Sequence, residues 1–275
     1  MPEHHFETPG PVDLLVEIGR GTVSVRCTET DRSVVVVEGR TADDVVVEQR
    51  GSEIRVVEPH RAGGLFRDTS LRVHVSVPLD SNPGVRTGSA DVEVEGRAGH
   101  AQLRSGSGNI TTAELSGHVL VETGSGDVRL GEVVGNARLK SGSGDLVLGR
   151  AGGDLSVSTG SGDVRLEETH GAAVVKTGSG DLEVRRSHGD VSWTTGSGDL
   201  VIGQVHRGRV AVKAASGDVR LGVTPAVPVW TDITTVSGTI SSGLQGAGQP
   251  QEGQDHIEVR ARTVSGDITL REVPA

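Results

Sequence analysis

Glycine recurs every nine residues through the middle of this chain, and that period limits the possible folds more than any other feature. The positions run without a break as Gly99, Gly108, Gly117, Gly126, Gly135, Gly144, Gly153, Gly162, Gly171, Gly180, Gly189 and Gly198. One inserted residue then shifts the phase, and the period resumes at Gly208 and Gly217. A fixed short period of this kind is typical of repeat architectures, in which each repeat buries its apolar face against its neighbours.

A second period, twice as long, lies on top of the first. Alternate nine-residue units begin with the turn Thr-Gly-Ser-Gly-Asp or a close variant, at residues 123–127, 141–145, 159–163, 177–181 and 195–199. The turns between them vary in sequence, as at residues 131–134 and 167–170. The full repeat is therefore two short segments joined by one fixed turn and one variable turn.

Each segment alternates apolar and polar residues, as in Val128-Arg129-Leu130. This period of two predicts half-buried strands, and valine favours strands further. Because strands this short cannot bury a face alone, we predict an all-β fold. It is a single-stranded β-solenoid (β-helix) with about 18 residues per coil and two parallel sheets. The thin aliphatic core explains why the chain has no tyrosine and two phenylalanines. Trp193 is the exception, and we expect a locally wider coil around it.

The regular period divides the chain into four parts. Residues 1–11 are predicted to be an N-terminal tail, and 12–90 to be irregular coils with a cap, or alternatively a separate small β domain. Residues 91–222 form the regular solenoid. Residues 223–275 form irregular C-terminal coils with a mobile loop at 243–255. In repeat proteins the terminal repeats are usually atypical, because they cover the ends of the core.

Stacked coils turn each repeat position into a column, and the first candidate column is acidic. It contains Asp127, Asp145, Asp163, Asp181 and Asp199. Neighbouring carboxylates about 5 Å apart repel by roughly 0.8 kcal/mol, whereas a charged hydrogen bond to a turn N–H contributes about 1.5–3 kcal/mol. We therefore expect a turn-capping role, with calcium binding as the alternative. The calcium-binding nonapeptide pattern differs, because it places Asp two residues after Gly in every nine.

Two further columns carry functional groups. His170, His188 and His206 lie on the variable turn and are expected to face solvent, with a transition metal held between coils as the alternative. The hydroxyls of Thr123, Ser141, Thr159, Thr177 and Thr195 form a column that is expected to be turn chemistry rather than a binding array. No catalytic, cofactor-binding or metal-binding residue is assigned, and no cofactor is expected.

Composition and motifs narrow the function further. The net charge of −10 and the scarcity of aromatics argue against nucleic acid and anionic membranes as partners. The first residues lack a basic region followed by an apolar stretch, and no apolar run could span a membrane. Cys27 is the single cysteine. We expect a cytoplasmic protein, with envelope association as the alternative. The chain lacks the phosphate-loop, zinc-protease, nucleophile-elbow and dinucleotide motifs.

The repeated Thr-Gly-Ser-Gly-Asp-Val/Leu turn resembles a bacterial β-strand-repeat family catalogued as a putative-adhesin domain of unknown function. Residues 11–25, 44–51 and 263–267 share this resemblance, which extends from about residue 12 to 272. The resemblance implies a β-solenoid and a bacterial source, and it brings no functional residues with it.

These observations favour a non-enzymatic scaffold or interaction module whose protein partner the sequence does not name. The alternatives are a secreted or surface adhesin that binds glycan or protein, a calcium- or metal-binding rod, and a carbohydrate-active β-helix enzyme. The strand-like stretch at 267–270 lies close to the last residue, so we expect it to form an uncovered edge. Arg271 and Glu272 either block that edge or leave it open for end-to-end self-association.

Overall fold

The computed structural model describes residues 2–59, 70–244 and 256–274, and it divides the chain into two compact units, Met1–Gly135 and Asn136–Ala275. Both units are built from β-strands, and the described residues include one 3-10 helix, Ala42–Asp44. In the part of the chain that the structure describes, no helix has the length and hydropathy to cross a membrane.

Over its described residues, the first unit contains thirteen strands. They are β1 (Glu3–Glu7), β2 (Asp13–Ile18), β3 (Arg20–Thr28), β4 (Arg32–Glu38), β5 (Val46–Arg50), β6 (Glu53–Val57), β7 (Ser70–Pro78), β8 (Asn82–Thr87), β9 (Asp91–Ala98), β10 (Ala101–Ser105), β11 (Ile110–Leu115), β12 (Val119–Thr123) and β13 (Val128–Val133). One sheet has the order β1-β4-β7-β3-β9-β11-β13, and the other β5-β6-β2-β8-β10-β12. Residues 3–7, assigned to a tail from the sequence, form β1 and pair with β4.

The second unit contains fourteen strands in the segments that the structure describes. They are β14 (Ala137–Ser141), β15 (Leu146–Ala151), β16 (Leu155–Thr159), β17 (Val164–Thr169), β18 (Ala173–Thr177), β19 (Leu182–Ser187), β20 (Val191–Ser197), β21 (Leu200–Val205), β22 (Gly208–Ser216), β23 (Val219–Val223), β24 (Val229–Ser237), β25 (Ile240–Gly243), β26 (Ile257–Ser265) and β27 (Ile268–Glu272). One sheet has the order β15-β17-β19-β21-β23-β27-β25, and the other β14-β16-β18-β20-β22-β26-β24.

The strands of the regular region pair in parallel with the strand one full coil away. In the second unit β14 pairs with β16 so that Ala137 lies opposite Leu155, and β15 pairs with β17 so that Leu146 lies opposite Val164. Both spacings equal twice the glycine period. The predicted all-β solenoid, with its coil length and its two parallel sheets, is confirmed. Antiparallel pairing among the described strands occurs near the N-terminus, where β1, β4 and β5 join the sheets.

The terminal coils do not follow the order of the chain. In the first unit, the coil β2/β3 lies between β8/β9 on one side and β6/β7 on the other. In the second unit, the final coil β26/β27 lies between β22/β23 and β24/β25. The expectation that the last strand forms the edge is therefore wrong, because β25 and β24 are the outermost strands of that end. The predicted loop at 243–255 lies almost wholly outside the described residues, and Gly243 ends β25.

Each coil buries its inward-facing residues almost completely. Val128 and Leu130 are 0% and 3% exposed, whereas Arg129 between them is exposed. Such burial contributes about 1.5–3 kcal/mol for each Val or Leu side chain. Trp193 occupies the same kind of position, is fully buried, and lies opposite Val175 and Val212 on the neighbouring coils.

The nine-residue glycines are required by the close approach of neighbouring coils. A Cβ on Gly126 would lie 2.1 Å from the carbonyl oxygen of Gly108, and one on Gly162 would lie 2.1 Å from that of Gly144. Among the twelve glycines of the unbroken series only Gly198 has a φ in the left-handed region, so a positive φ is not the reason for the period. The period therefore records how closely the turns stack.

Candidate functional site

The aspartates of the fixed turn form a hydrogen-bonded ladder between coils. Within the second unit, Oδ1 of Asp145 accepts a hydrogen bond from the backbone N–H of Asp163 at 3.0 Å, and the same contact repeats from coil to coil. It continues from Asp163 to Asp181, from Asp181 to Asp199 and from Asp199 to Asp218. The aspartates thus have the expected turn-capping role, and each carboxylate caps the turn of the next coil. In the first unit, Asn109 performs the same role for the N–H of Asp127.

The position after the variable-turn glycine carries a second ladder. Oδ1 of Asn136 accepts from the N–H of Asp154, and Oδ1 of Asp154 accepts from the N–H of Ala172. In the first unit, Nδ1 of His100 accepts from the N–H of His118 at 2.9 Å. Turn columns of this solenoid therefore hold each coil to the next through side-chain acceptors, which is a structural role.

The hydroxyl column faces inward. Thr123, Thr159 and Thr177 are 6–8% exposed, and their oxygens accept hydrogen bonds from the N–H groups of Gly126, Gly162 and Gly180, three residues further on. Ser141 and Thr195 are equally buried and donate to carbonyls of their own turns. These hydroxyls are therefore used in hydrogen bonds within their turns and do not form a surface array.

The histidine column is a stack of parallel rings. The ring centroids of His170 and His188 are 4.8 Å apart with an interplanar angle of 6°, and those of His188 and His206 are 4.3 Å apart at 5°. The backbone imposes this arrangement, because the N–H of His188 donates to Thr169 and the N–H of His206 donates to Ser187 in the preceding coil. We expected solvent-facing rings, but only part of each ring is exposed.

Glu168 joins this column, and sequence reasoning missed it. Its Oε1 lies 3.0 Å from Nε2 of His188 and 3.5 Å from Nε2 of His170. The two-residue alternation of β17 breaks near its end, where Glu167 and Glu168 both face outward before Thr169 turns inward. The signal was thus present in the pattern, because the coil length brings position 188 beside position 170 and therefore near position 168.

The charges around Glu168 keep its carboxylate ionised. Burial alone would raise the pKa of Glu168, but the hydrogen bond with His188 and the positive charge of Arg186 outweigh that effect and hold the pKa below its usual range. Burial lowers the pKa of His206, and the charges of His188 and Arg186 lower it further, which favours the neutral ring. Nε2 of His170 and Nε2 of His206 are buried atoms without a hydrogen-bond partner.

The outermost C-terminal coil exposes apolar side chains. Trp230 and Ile240 are about half exposed, and Val236 and Val264 are 79% and 57% exposed. Among the described strands, β24 pairs only with β26 and β25 pairs only with β27, so one edge of each lacks a strand partner.

The fixed turn changes its form toward this end, which explains the exposed valines. In β20, β22, β26 and β24 the strand extends through the turn to a serine and is followed by a glycine with φ between 132° and 155°. The second turn residue, glycine in the regular coils, becomes Ala215, then Val264 in β26, then Val236 in β24. Side chains are tolerated here because the extended backbone directs them outward.

Cavities in the first unit are open grooves whose charged groups are already paired. One of about 550 Å³ is lined by Glu17, Glu58 and Arg86. Arg86 contacts Glu17 at 2.8 Å, and Oε2 of Glu58 accepts from the N–H of Gly19 at 2.7 Å. The carboxylates of this groove thus stabilise adjacent coils rather than standing ready for acid–base chemistry.

The geometry defines a β-solenoid whose turn columns are mostly structural. A family model described as Toastrack DUF4097 matches residues 16–271, and the chain belongs to this family. No curated protein matches the chain.

Several solved structures are similar over nearly the whole chain at low identity. One is described as a putative adhesin from Bacteroides fragilis, with 9% identity, coverage of 99% of this chain and 96% of that one, and a TM-score of 0.39. Another is described as a putative lipid binding protein from Parabacteroides distasonis, with 12% identity, coverage of 98% and 96%, and a TM-score of 0.41. A third, a putative cell adhesion protein from Clostridium sporogenes, has 10% identity, 99% coverage of both chains and a TM-score of 0.22.

Proposed function

We propose that this protein is a non-enzymatic interaction scaffold that binds a protein partner through its C-terminal edge coil, β24 and β25. The observation that carries the proposal is the exposed apolar set Trp230, Val236, Ile240 and Val264 on that coil and its neighbour. Val236 and Val264 lie side by side on β24 and β26, and adjacent exposed apolar side chains indicate a protein contact more often than isolated ones do.

The regular coils offer a contrast within the same unit. Their outward positions are mainly charged or small, and their ion pairs join neighbouring coils, such as Arg185 with Glu167 at 3.1 Å and Arg165 with Glu183 at 3.6 Å. Surface ion pairs of this kind contribute little affinity or stability. The regular region therefore serves to hold the edge coil rigidly, because backbone hydrogen bonds and the aspartate ladder of the fixed turns tie neighbouring coils together.

Site-specific photo-crosslinking tests the proposal. A photoreactive residue replaces Val236 on the edge coil and, in a matched control, Val174, which is 38% exposed on the outer face of β18. We expect a discrete adduct with one other protein at position 236 and none at position 174. Rebinding of that purified protein should weaken at least tenfold in Val236→Asp. Equal crosslinking at both positions, or none at position 236, would overturn the proposal.

Self-association through the same edge is the second candidate function. The unpaired edge of β24 presents backbone N–H and C=O groups that can pair with another strand, and β24 carries no proline or lysine that would prevent this. The crosslinking experiment separates the two candidates, because an adduct of twice the chain mass assigns the edge to a second copy. Sedimentation over a concentration series then measures the association directly.

Cellular location separates a scaffold inside the cell from an adhesin. The cytoplasmic location remains our prediction, and envelope association remains the alternative. Fractionation of native cells with an antibody against the protein decides between them. A wholly cytosolic protein excludes an adhesin, and a protein accessible on intact cells excludes the cytoplasmic scaffold.

A further inference from the structure

We propose that Glu168, His170 and His188 form a binding site for a divalent transition-metal ion of the zinc class. One donor atom from each of the three side chains lies within 4.8 Å of the other two. Among the described residues the cluster is set apart from the aspartate ladder, whose carboxylates are spread one per coil and cap backbone N–H groups.

The donor spacing fits a tetrahedral ion. Ligands at about 2.0–2.2 Å from Zn²⁺ in a tetrahedron lie about 3.3–3.6 Å from one another. Glu168 Oε1 is 3.5 Å from His170 Nε2, which matches this length, and 3.0 Å from His188 Nε2, which is about 0.3 Å shorter. Rotation of the two imidazole rings, which leaves the backbone ladder in place, closes the third edge.

The donor chemistry also fits. Two imidazole nitrogens and one carboxylate oxygen are a common protein ligand set for Zn²⁺, with the remaining position open to water. Nε2 of His170 is a buried nitrogen without a hydrogen bond, and it lies 3.5 Å from Oε1 of Glu168. A bound ion would give that nitrogen the partner that buried polar atoms usually have.

Two arginines oppose the ion. Arg150 and Arg186 lie in register with Glu168 on the two neighbouring coils, and Arg186 reaches within 3.7 Å of Oε2 of Glu168. Oε2 is the oxygen that does not face the histidines, so the metal and Arg186 use different atoms of the same carboxylate. Removing the Arg186 charge should therefore strengthen metal binding, which a purely structural ion-pair cluster would not predict.

The test is a calorimetric titration of tag-free protein with Zn²⁺ alone at pH 7.5. We expect one ion per chain, and at least tenfold weaker binding in Glu168→Gln and His188→Gln. His118→Gln is the matched control, because His118 also lies beside a neighbouring histidine ring, that of His100, at 5.3 Å. It should bind Zn²⁺ as the wild type does.

Circular dichroism verifies the fold of each variant, and Arg186→Gln provides a test that does not depend on losing a ligand. We expect Arg186→Gln to bind at least threefold more tightly than the wild type. Co²⁺ serves as a spectroscopic probe, since a four-coordinate site gives intense visible absorption. Absence of stoichiometric Zn²⁺ binding, or equal affinity in the wild type and both ligand variants, would overturn the proposal.

Discussion

Replacing Gly162 by alanine tests whether close stacking is the reason for the nine-residue period. The new Cβ would lie 2.1 Å from the carbonyl oxygen and 2.7 Å from the carbonyl carbon of Gly144. An ordinary contact begins near 3.4 Å. The two coils must therefore separate locally by about 1.3 Å, and alanine has no side-chain freedom with which to avoid the contact.

That separation breaks hydrogen bonds on either side of the new methyl group. Ser161 N–H donates to Gly142 at 3.2 Å, and Asp163 N–H donates to Oδ1 of Asp145 at 3.0 Å. A displacement of this size takes both beyond hydrogen-bonding distance. Losing two such bonds costs about 2–4 kcal/mol. In a protein of this size, 1 kcal/mol shifts the melting temperature by about 2–4 °C, so a fall of roughly 4–16 °C is expected.

Gly10→Ala is the matched control, because no atom lies within 4 Å of the position that its Cβ would take and its φ is not in the left-handed region. There alanine restricts mainly the unfolded chain and should stabilise by about 0.4–1 kcal/mol. Differential scanning calorimetry of both variants provides the measurement. If Gly162→Ala melts at the same temperature as the wild type, or shifts in the same direction as Gly10→Ala, the stacking explanation is wrong.

Substitutions at three further positions test the ladder, the core and the charged surface. Asp181→Asn keeps the acceptor for the N–H of Asp199, whereas Asp181→Ala removes it. In urea denaturation the Asn variant should be more stable than the Ala variant by about 1 kcal/mol, and equal stability would contradict the ladder. Trp193→Ala should cost about 3–5 kcal/mol; Trp193→Phe should cost less, because the buried indole N–H has no partner, and the reverse order would be evidence against this account. Hydrogen bonding from Arg97 lowers the pKa of Asp80, so this group stabilises the fold above about pH 3.8 and loses that contribution as the pH falls through the lowered pKa. Asp80→Asn should therefore flatten the acid limb of the stability–pH curve, and an unchanged limb would exclude the linkage.

The structure of the regular coils could be predicted from the repeat, because the pattern within each repeat is local. Glycines at a fixed spacing and the alternation in Val128-Arg129-Leu130 carry the strand period and the coil length together. The steric reason for the glycines could not be predicted, because the amino-acid sequence does not show the distance between neighbouring coils. Glu168 was missed for a similar reason: it belongs to a strand, whereas the search for ligands followed the turn column of His170 and His188. The expected metal alternative thus contained two of the three clustered residues.

The ends were harder to predict because their strand order is not the order of the sequence. Nothing in residues 257–272 indicates that they pair on both sides, since a strand buried between two neighbours and an edge strand can share the same alternation. The sequence does show that the fixed turn changes, because the position occupied by Gly196 in one coil is occupied by Val264 in a later one. The structural effect of this change is seen only in the backbone, where the strand continues through the turn.

The interposed final coil has a consequence for how the protein is made. Strands β24 and β25 are synthesised before β26 and β27, yet in the described structure each finds its hydrogen-bonding partner only in that later segment. At this end, the order in which the strands are synthesised therefore differs from the order in which they stack. Until β26 and β27 have been translated, one edge of β22 and one edge of β23 lack their final strand partners. A nascent chain at this stage is therefore exposed to incorrect strand pairing.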